Sequence, residues 1–272
     1  MRFFILALCI SFSCPVYGQQ QITGPNGQIY SVDGSGHGGL LGPSPYEGWP
    51  QLCVRVCNND CPLDCDLESI YSAAGVAPSQ TDGLQGLQMA TAQLAGLQVA
   101  RHIWIPAAGP QNADGFVVYF DELFNPTNAP ITVNIRLGSV AADRGQINDG
   151  NARVWRTQSD DSSLETRDRW FLVDDDQAFG GRPSLAVLTH GAGARQALSS
   201  IEQSAFDNDR AGQLSWAFNQ HTIPAGSRSA FISVLSLNET RTDALDEIES
   251  LIRMREVDVL FATTADRRRN VQ

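Results

Sequence analysis

The sequence predicts a mainly β protein: an antiparallel two-layer β-sandwich with a C-terminal amphipathic helix and a disulfide-stapled N-terminal segment. Three observations lead to this fold class. Short strand-like runs, separated by turn residues and not by helices, follow one another over residues 80–240. A helical apolar period comes after them, at residues 242–254. Four cysteines crowd into residues 53–65, as is typical of a disulfide cluster.

Residues 1–18 have the features of a cleaved signal peptide. Arg2 precedes an apolar run from Phe3 to Phe12, and residues 16–18 offer the small-residue site that signal peptidase needs. The run is too short to span a bilayer, which takes about 20 apolar residues, and no later run reaches that length. A lipid anchor at Cys14 is the alternative. We therefore expect a secreted protein, in the extracellular space, at the cell surface or in the periplasm, without a membrane span.

Residues 19–52 are rich in Gly, Pro, Ser and Gln, and this composition predicts a flexible leader with little secondary structure. Residues 34–39, GSGHGG, match G-x-G-x-x-G, but no helix can follow them, so they are interpreted as linker. Residues 53–79 are predicted to hold the cysteine cluster and a short helix over residues 66–75, with Asp66 as its N-cap.

The cysteines favour disulfides, because an oxidising compartment oxidises clustered, even-numbered thiols. A hairpin with its tip at residues 58–60 would pair Cys53 with Cys65 and Cys57 with Cys61, since residues four apart on a strand share a face. Sequential and crossed pairings stay open. A metal site is the weaker alternative, because zinc sites place a long spacer between two cysteine pairs. Reactive thiols are a third alternative.

Residues 80–240 form the predicted sandwich domain. Residues 130–138 alternate cleanly, with Ile131, Val133, Ile135 and Leu137 on one face. The predicted strands cover residues 98–106, 115–122, 130–138, 152–158, 169–174, 184–190, 213–219 and 229–237. Residues 241–272 follow as a C-terminal helix, expected to dock on the sandwich, and a basic tail at 267–269.

Composition excludes several classes of partner and of chemistry. The formal net charge of −11 at pH 7 disfavours nucleic acid and anionic membranes as partners. Every basic residue is Arg, so chemistry that depends on a lysine is excluded. The sequence contains no G-x-S-x-G, H-E-x-x-H or D-x-D-x-D-G motif, and its four histidines lie far apart. These features argue against an enzyme without excluding one.

Two sets of residues are candidate binding sites. Asp174, Asp175 and Asp176 end a predicted strand, and their carboxylates could hold a calcium ion, which would be the one cofactor. The alternative is a solvated acidic turn, or one paired with a nearby arginine. Trp104 and Trp155 could stack on sugar rings, or else pack beneath a loop or the C-terminal helix.

The order of motifs within residues 80–240 resembles a recurring extracellular β-sandwich domain of bacterial secreted and surface proteins. The motifs are LAGLQVARHIWIP, FNPTNAPITVNIRLGS, TQSDD, DRWFLVDDD, SLAVLTHGAGA and TIPAGSRSAFISVLSL. This uncharacterised family has no established activity, so the resemblance implies fold and location and carries no site residues across. The family usually occurs in longer multidomain proteins, whereas here it makes up most of the chain.

These observations predict a secreted, non-catalytic β-sandwich with a structural, adhesive or binding role at the cell surface or in the extracellular matrix. Its expected partner is a surface or matrix component such as a polysaccharide. The alternative function is a carbohydrate-binding module or a hydrolase acting on polysaccharide. A hydrolase would need two carboxylates about 5–10 Å apart in a cleft.

Overall fold

The computed structural model describes residues 20–23, 29–33, 39–41, 46, 48–56, 65–73, 79–80, 85–105, 116–140, 153–174, 183–191, 194, 196–203 and 213–253. The strands in these ranges are β1 (Gln20–Thr23), β2 (Ile29–Val32), β3 (Leu40–Leu41), β4 (Gln51–Arg55), β5 (Ser79–Gln80), β6 (Gln85–Gln88), β7 (Ala92–Leu94), β8 (Leu97–Ile105), β9 (Phe116–Phe124), β10 (Ile131–Gly138), β11 (Arg153–Thr157), β12 (Trp170–Asp174), β13 (Ser184–Leu188), β14 (Ser200–Gln203), β15 (Leu214–Ile223) and β16 (Arg228–Asn238). One helix, α1 (Arg241–Arg253), follows them.

These strands form three antiparallel sheets. The large sheet has the order β11-β12-β13-β16-β9-β8-β6-β5, with β7 also paired to β8. The small sheet has the order β14-β15-β10-β4, and β1, β2 and β3 form a third sheet. The predicted mainly β, antiparallel fold class is confirmed. Seven of the eight predicted strands begin and end within two residues of the prediction, and β15 continues to Ile223.

The main core lies between the large and the small sheet. Strand alternation directs one row of apolar side chains from each sheet into this space. Phe171 on β12 meets Trp216 on β15 with ring centroids 6.0 Å apart, and Phe218 on β15 meets Phe231 on β16 at 4.8 Å. The predicted inward residues Val133, Ile135 and Leu137 are buried here. This facing of two sheets is the predicted sandwich.

The second core lies on the outer face of the large sheet, beneath α1. Asp243 N donates to Thr240 Oγ1 at 3.1 Å, so Thr240 is the N-cap of the helix. Ala244, Ile248 and Leu251 are buried against Val118 and Leu172, among others, on the sheet. The predicted docking of a C-terminal amphipathic helix on the sandwich is therefore confirmed. Among the described residues, no helix is long and apolar enough to cross a bilayer.

The prediction of a leader with little secondary structure at residues 19–52 is wrong in its described parts. Strands β1 to β3 form a sheet there, and Tyr30, Val32 and Trp49 are buried in the main core. Tyr30 Oη accepts a hydrogen bond from Leu237 N of the large sheet at 3.1 Å. The glycines and prolines of this segment lie mostly between its short strands. Its few large apolar side chains pack into the main core.

The cysteine segment is partly as predicted. Cys53 and Cys65 form a disulfide, which confirms one of the pairings considered, whereas Cys57, Cys61 and the hairpin tip lie outside the described residues. The short helix predicted from Asp66 does not form in the described part. Ser69 N donates to Asp66 Oδ1 at 3.0 Å in a turn, and the following residues instead bond to the edge of β4.

Candidate ligand-binding cleft

The connection between β11 and β12, residues 158–169, forms an open cleft of about 460 Å³. It is lined by Gln158, Ser159, Arg167 and Asp168. This volume lies within the range typical of small-ligand sites. The connection leaves one edge of the large sheet and returns to the next strand, so the rigid sheet determines where the cleft lies.

Asp168 organises the floor of the cleft. It is fully buried, and its Oδ1 accepts hydrogen bonds from Ser159 N at 3.0 Å and from Ser159 Oγ at 2.6 Å. Its Oδ2 accepts from Glu165 N at 2.8 Å. Such bonds to a carboxylate are stronger than neutral ones, so Asp168 holds the two ends of the connection together.

A second carboxylate shapes the turn beside the cleft. Asp161 Oδ1 accepts from Thr157 Oγ1 and from Ser163 N, both at 3.0 Å. Asp160 has a φ of 65°, which its short polar side chain tolerates, and its carboxylate pairs with Arg156 at 2.7 Å. The polar side chains of the connection therefore bond mostly to nearby backbone groups. These bonds give the connection a defined form without regular secondary structure.

The connection is also tied to both sheets of the sandwich. Gln203 on β14 of the small sheet accepts from Leu164 N at 3.1 Å and donates to Ser162 O at 3.3 Å. On the large sheet, Thr189 donates to Arg169 O through its backbone N at 2.8 Å and its Oγ1 at 2.9 Å. A cleft held from two sides loses little conformational entropy when a ligand binds.

Two lining side chains present donors to a ligand. Gln158 Oε1 accepts from Arg169 N at 3.0 Å and from Arg169 Nε at 3.3 Å, so its amide oxygen is used and its NH₂ group is directed elsewhere. Arg167 is 70% exposed, and its Nε bonds to Glu165 Oε2 at 2.7 Å. Together with the Ser159 hydroxyl, these groups suit a ligand that carries several hydroxyl groups.

Asp174, the described member of the predicted calcium site, is buried and serves another purpose. Its Oδ2 accepts from Ser184 Oγ at 2.7 Å and from Arg241 Nε at 2.8 Å, so it anchors the first turn of α1 to the sheet. Asp175 and Asp176 lie outside the described residues. In the part of the chain that the structure describes, no group of three or more His, Cys, Asp or Glu residues could hold a metal ion.

The two tryptophans lie in the second core. Trp104 is 6% exposed and packs against Phe120, with ring centroids 5.7 Å apart, so its burial excludes it from a sugar-stacking platform in this structure. Trp155 is half-buried, and the Arg241 guanidinium lies 5.2 Å from its ring centroid. The alternative of packing near the C-terminal helix describes Trp155, and Trp104 lies in the same apolar cluster as residues of α1.

His221 belongs to a hydrogen-bonded relay that the sequence analysis missed. Gln196 Nε2 donates to Asn219 O, which directs Gln196 Oε1 to His221 Nδ1 and assigns the proton to that nitrogen. His221 Nε2 then accepts from Ser229 Oγ at 2.9 Å. The order resembles that of a catalytic triad, but Ser229 is 1% exposed, which leaves a substrate no access. The relay links β15 of the small sheet to β16 of the large sheet, and no spacing in the sequence predicts it.

Burial lowers the pKa of His221 below its ordinary value of 6.5. The unfolded chain therefore takes up a proton near pH 6.5 that the folded protein resists. We expect the free energy of unfolding to fall as the pH drops below 6.5 and to level off below the folded pKa, with a slope of at most about 1.4 kcal/mol per pH unit from this group. Urea unfolding of the wild type and of His221→Gln between pH 8 and pH 5 checks this, because the variant should give the flatter profile. Parallel profiles would contradict it.

The fold and the cleft together define a β-sandwich with an open polar cleft between strands β11 and β12. No protein-family model matches the sequence, so the resemblance to the bacterial extracellular domain stays a prediction, and no curated protein matches either. A solved structure of a candidate aldose 1-epimerase from Klebsiella pneumoniae is 11% identical, with 83% of this chain and 81% of that chain covered and a TM-score of 0.39.

Two further solved structures show comparable similarity. A heparinase III is 12% identical, with 61% of this chain and 21% of that chain covered and a TM-score of 0.36. A polysaccharide lyase is 9% identical, with 82% of this chain and 32% of that chain covered and a TM-score of 0.41. The chain thus spans about a fifth of the heparinase and about a third of the lyase. At these scores no residue role is transferred to this chain.

Proposed function

We propose that the protein is a secreted, non-catalytic β-sandwich that binds carbohydrate in the cleft of residues 158–169. The observation that carries this proposal is the open polar cleft itself, whose floor Asp168 fixes with three hydrogen bonds. Its lining offers an amide, a hydroxyl and a guanidinium group, which are groups that hydrogen-bond to sugar hydroxyls. The proposed partner is a polysaccharide at the cell surface or in the matrix.

The lining disfavours the hydrolase alternative. Glycoside hydrolysis needs one carboxyl group as acid and a second as base or nucleophile, on either side of the scissile bond. Asp168 is the one carboxylate that lines the cleft among the described residues, and both of its oxygens already accept hydrogen bonds from the loop. The nearby carboxylate of Glu165 is paired with Arg167. A carboxylate used in this way orients the site and is poorly placed to transfer a proton.

The disulfide supports the proposed export. Cys53 and Cys65 are buried and bonded, and disulfides persist in oxidising compartments. N-terminal sequencing of the protein from the culture medium of an expressing cell tests this part of the proposal. A chain that begins at residue 19 is the expected result, and recovery only from the cytoplasm with residues 1–18 attached would contradict it.

Removing the donors of the cleft is expected to weaken carbohydrate binding. The purified protein is first tested on a glycan array that holds both neutral and acidic oligosaccharides. For the best ligand, we expect Arg167→Ala to raise the Kd by about tenfold and Gln158→Ala by about threefold to tenfold, as is typical for the loss of a hydrogen bond. Isothermal titration calorimetry gives the Kd values.

The matched control for these variants is Arg153→Ala. Arg153 is exposed and begins β11, whereas the cleft lies beyond the end of that strand, so the control removes the same charge away from the cleft. We expect its Kd to stay within twofold of that of the wild type. An array without binding, or equal losses in Arg153→Ala and Arg167→Ala, would refute the proposed site.

A further inference from the structure

We infer that the ion pair between Glu165 and Arg167 makes the cleft selective for uncharged glycans over acidic ones. The inference rests on the proposed function, because it concerns the ligand of the same cleft. Arg167 is the one cationic side chain that lines the cleft among the described residues. Arg167 attracts an acidic ligand only to the extent that no acidic side chain of the protein already neutralises its charge.

Glu165 is held where it neutralises Arg167. Its backbone N donates to Asp168 Oδ2 at 2.8 Å, which fixes the Glu165 backbone against the cleft floor. Its Oε2 bonds to Arg167 Nε at 2.7 Å. The two side chains are 47% and 70% exposed, so this carboxylate stands at the rim, where an incoming ligand meets it. The amino groups of the guanidinium remain to donate to a ligand.

Most of the surrounding charges act in the same direction, and the exception is Arg169, whose Nε donates to Gln158 Oε1 at 3.3 Å. Arg156 is paired with Asp160 at 2.7 Å, and Asp161 lies in the adjacent turn. Residues 156–169 carry three arginines and four acidic residues, so the connection has a net negative charge, as does the whole protein at −11. A uronate or sulfate entering the cleft therefore meets repulsion, whereas a sugar hydroxyl meets donors without a charge penalty.

The competing arrangement is that an acidic ligand displaces Glu165 and binds Arg167 through two parallel hydrogen bonds. Exposed ion pairs contribute little to stability, so the pair itself opens easily. This arrangement is disfavoured because Glu165 cannot move far away when it is displaced. Its backbone stays hydrogen-bonded to Asp168, so its negative charge stays close to the acidic ligand. At about 4–5 Å in water, one like-charge pair weakens binding by roughly fivefold.

Glu165→Gln tests the inference, because it removes the charge and keeps the side-chain shape. We expect the variant to bind oligosaccharides of uronic acid about threefold to tenfold more tightly than the wild type does. Its affinity for the neutral oligosaccharide that the wild type binds best should stay within twofold. The double variant Glu165→Gln/Arg167→Gln should lose the gain, because the gain depends on an unneutralised guanidinium.

The control for this charge change is Glu239→Gln. Glu239 is exposed and follows the end of β16 that pairs with Ser184, whereas Thr189 and the cleft lie beyond the other end of β13. Glu239→Gln removes one negative charge, as Glu165→Gln does. An effect of net charge alone would therefore appear in both variants. Titration calorimetry at one fixed salt concentration measures all four proteins.

The outcomes separate the inference from the proposed function. Preference of the wild type for neutral glycans, with a gain for uronates in Glu165→Gln alone, supports the inference. Equal or tighter binding of uronates by the wild type would overturn the inference and leave carbohydrate binding in place. Equal gains in Glu165→Gln and Glu239→Gln would also overturn it. Absence of binding to both glycan classes would overturn the proposed function itself.

Discussion

Replacing Asp121 by asparagine is expected to lower the free energy of unfolding by about 3–5 kcal/mol, because the change removes the carboxylate that pairs with the buried charge of Arg101. Arg101 Nε donates to Asp121 Oδ1 at 2.7 Å and its Nη2 to Oδ2 at 3.0 Å. The two side chains are 0% and 1% exposed, so water cannot replace the lost partner.

Among the described residues, the other groups around Arg101 carry no negative charge. Its Nη1 donates to Pro50 O at 2.8 Å, and its guanidinium lies 5.9 Å and 5.2 Å from the ring centroids of Tyr71 and Tyr119. Burial alone would lower the pKa of Arg101, but the charge and hydrogen bonds of Asp121, together with Tyr119 and Tyr71, outweigh burial and raise that pKa. The guanidinium therefore stays charged in the folded protein, and the cost of losing Asp121 falls on the folded state.

Urea unfolding at pH 7 measures this loss, and Arg101→Met/Asp121→Leu is the control. Replacing a whole buried pair with apolar side chains is often neutral, so the double variant should recover part of the stability. We expect the recovery to be incomplete, because Pro50 O then loses its hydrogen-bond donor, at a cost of about 1–3 kcal/mol. A loss below about 1 kcal/mol in Asp121→Asn would contradict the dry environment of the pair.

The sequence contains the signal for this ion pair. Alternation places Arg101 on the same strand face as Val99 and Ile103, which are buried in the main core. Asp121 likewise shares a face with Tyr119 and lies opposite Arg101 in the register of β8 and β9. Because a buried charge must have a partner, an arginine at an inward position of a strand predicts an acid at an inward position of a neighbouring strand.

The eight strands that the sequence predicts could be recognised because each spans five or more residues and buries at least part of one face. Their period of two is then visible in the sequence, as it is for Val133, Ile135 and Leu137. Strands β1 to β3 span two to four residues each, which is too short to show a period among glycines and prolines. Their position follows from tertiary packing of Tyr30 and Val32 into the main core, which local patterns do not encode.

The candidate cleft could not be predicted from periodicity. Its form depends on side chains that bond to nearby backbone, above all Asp168, and such bonds leave no repeating pattern. The sequence does contain a composition typical of turns over residues 158–168. What it does not indicate is which acid is buried: Asp168 is fully buried, whereas Asp161 in the same connection is exposed.

The described residues that were predicted to bind ligands share one structural explanation. Trp104 and Trp155 belong to the second core, to which α1 also contributes, and Asp174 and Trp155 contact Arg241 of that helix. A helix of this amphipathic character needs an apolar surface and a counter-charge for its first turn, and these residues supply both. Tryptophans and acidic residues near strand ends are therefore as typical of a surface on which a helix docks as of a ligand-binding site.

Removing the Cys53–Cys65 disulfide is expected to lower the free energy of unfolding by about 3 kcal/mol. The two cysteines are 12 residues apart, and the chain-entropy model gives this value for a loop of that length. The bond also holds residues 65–71 on the edge of β4, where Val54 N donates to Ser69 O at 2.9 Å and Tyr71 N to Leu52 O at 2.8 Å. Without the bond, that sheet edge is more easily exposed.

Cys53→Ala/Cys65→Ala is the variant of choice, because both cysteines are buried and alanine adds no polar group. Urea unfolding with and without a thiol reductant separates this bond from other effects. Reductant should destabilise the wild type by about as much as the double variant is destabilised, and should change the variant much less. If the variant unfolds within about 1 kcal/mol of the oxidised wild type, the backbone hydrogen bonds of residues 65–71 hold the β4 edge without the disulfide, and the bond is then dispensable for folding.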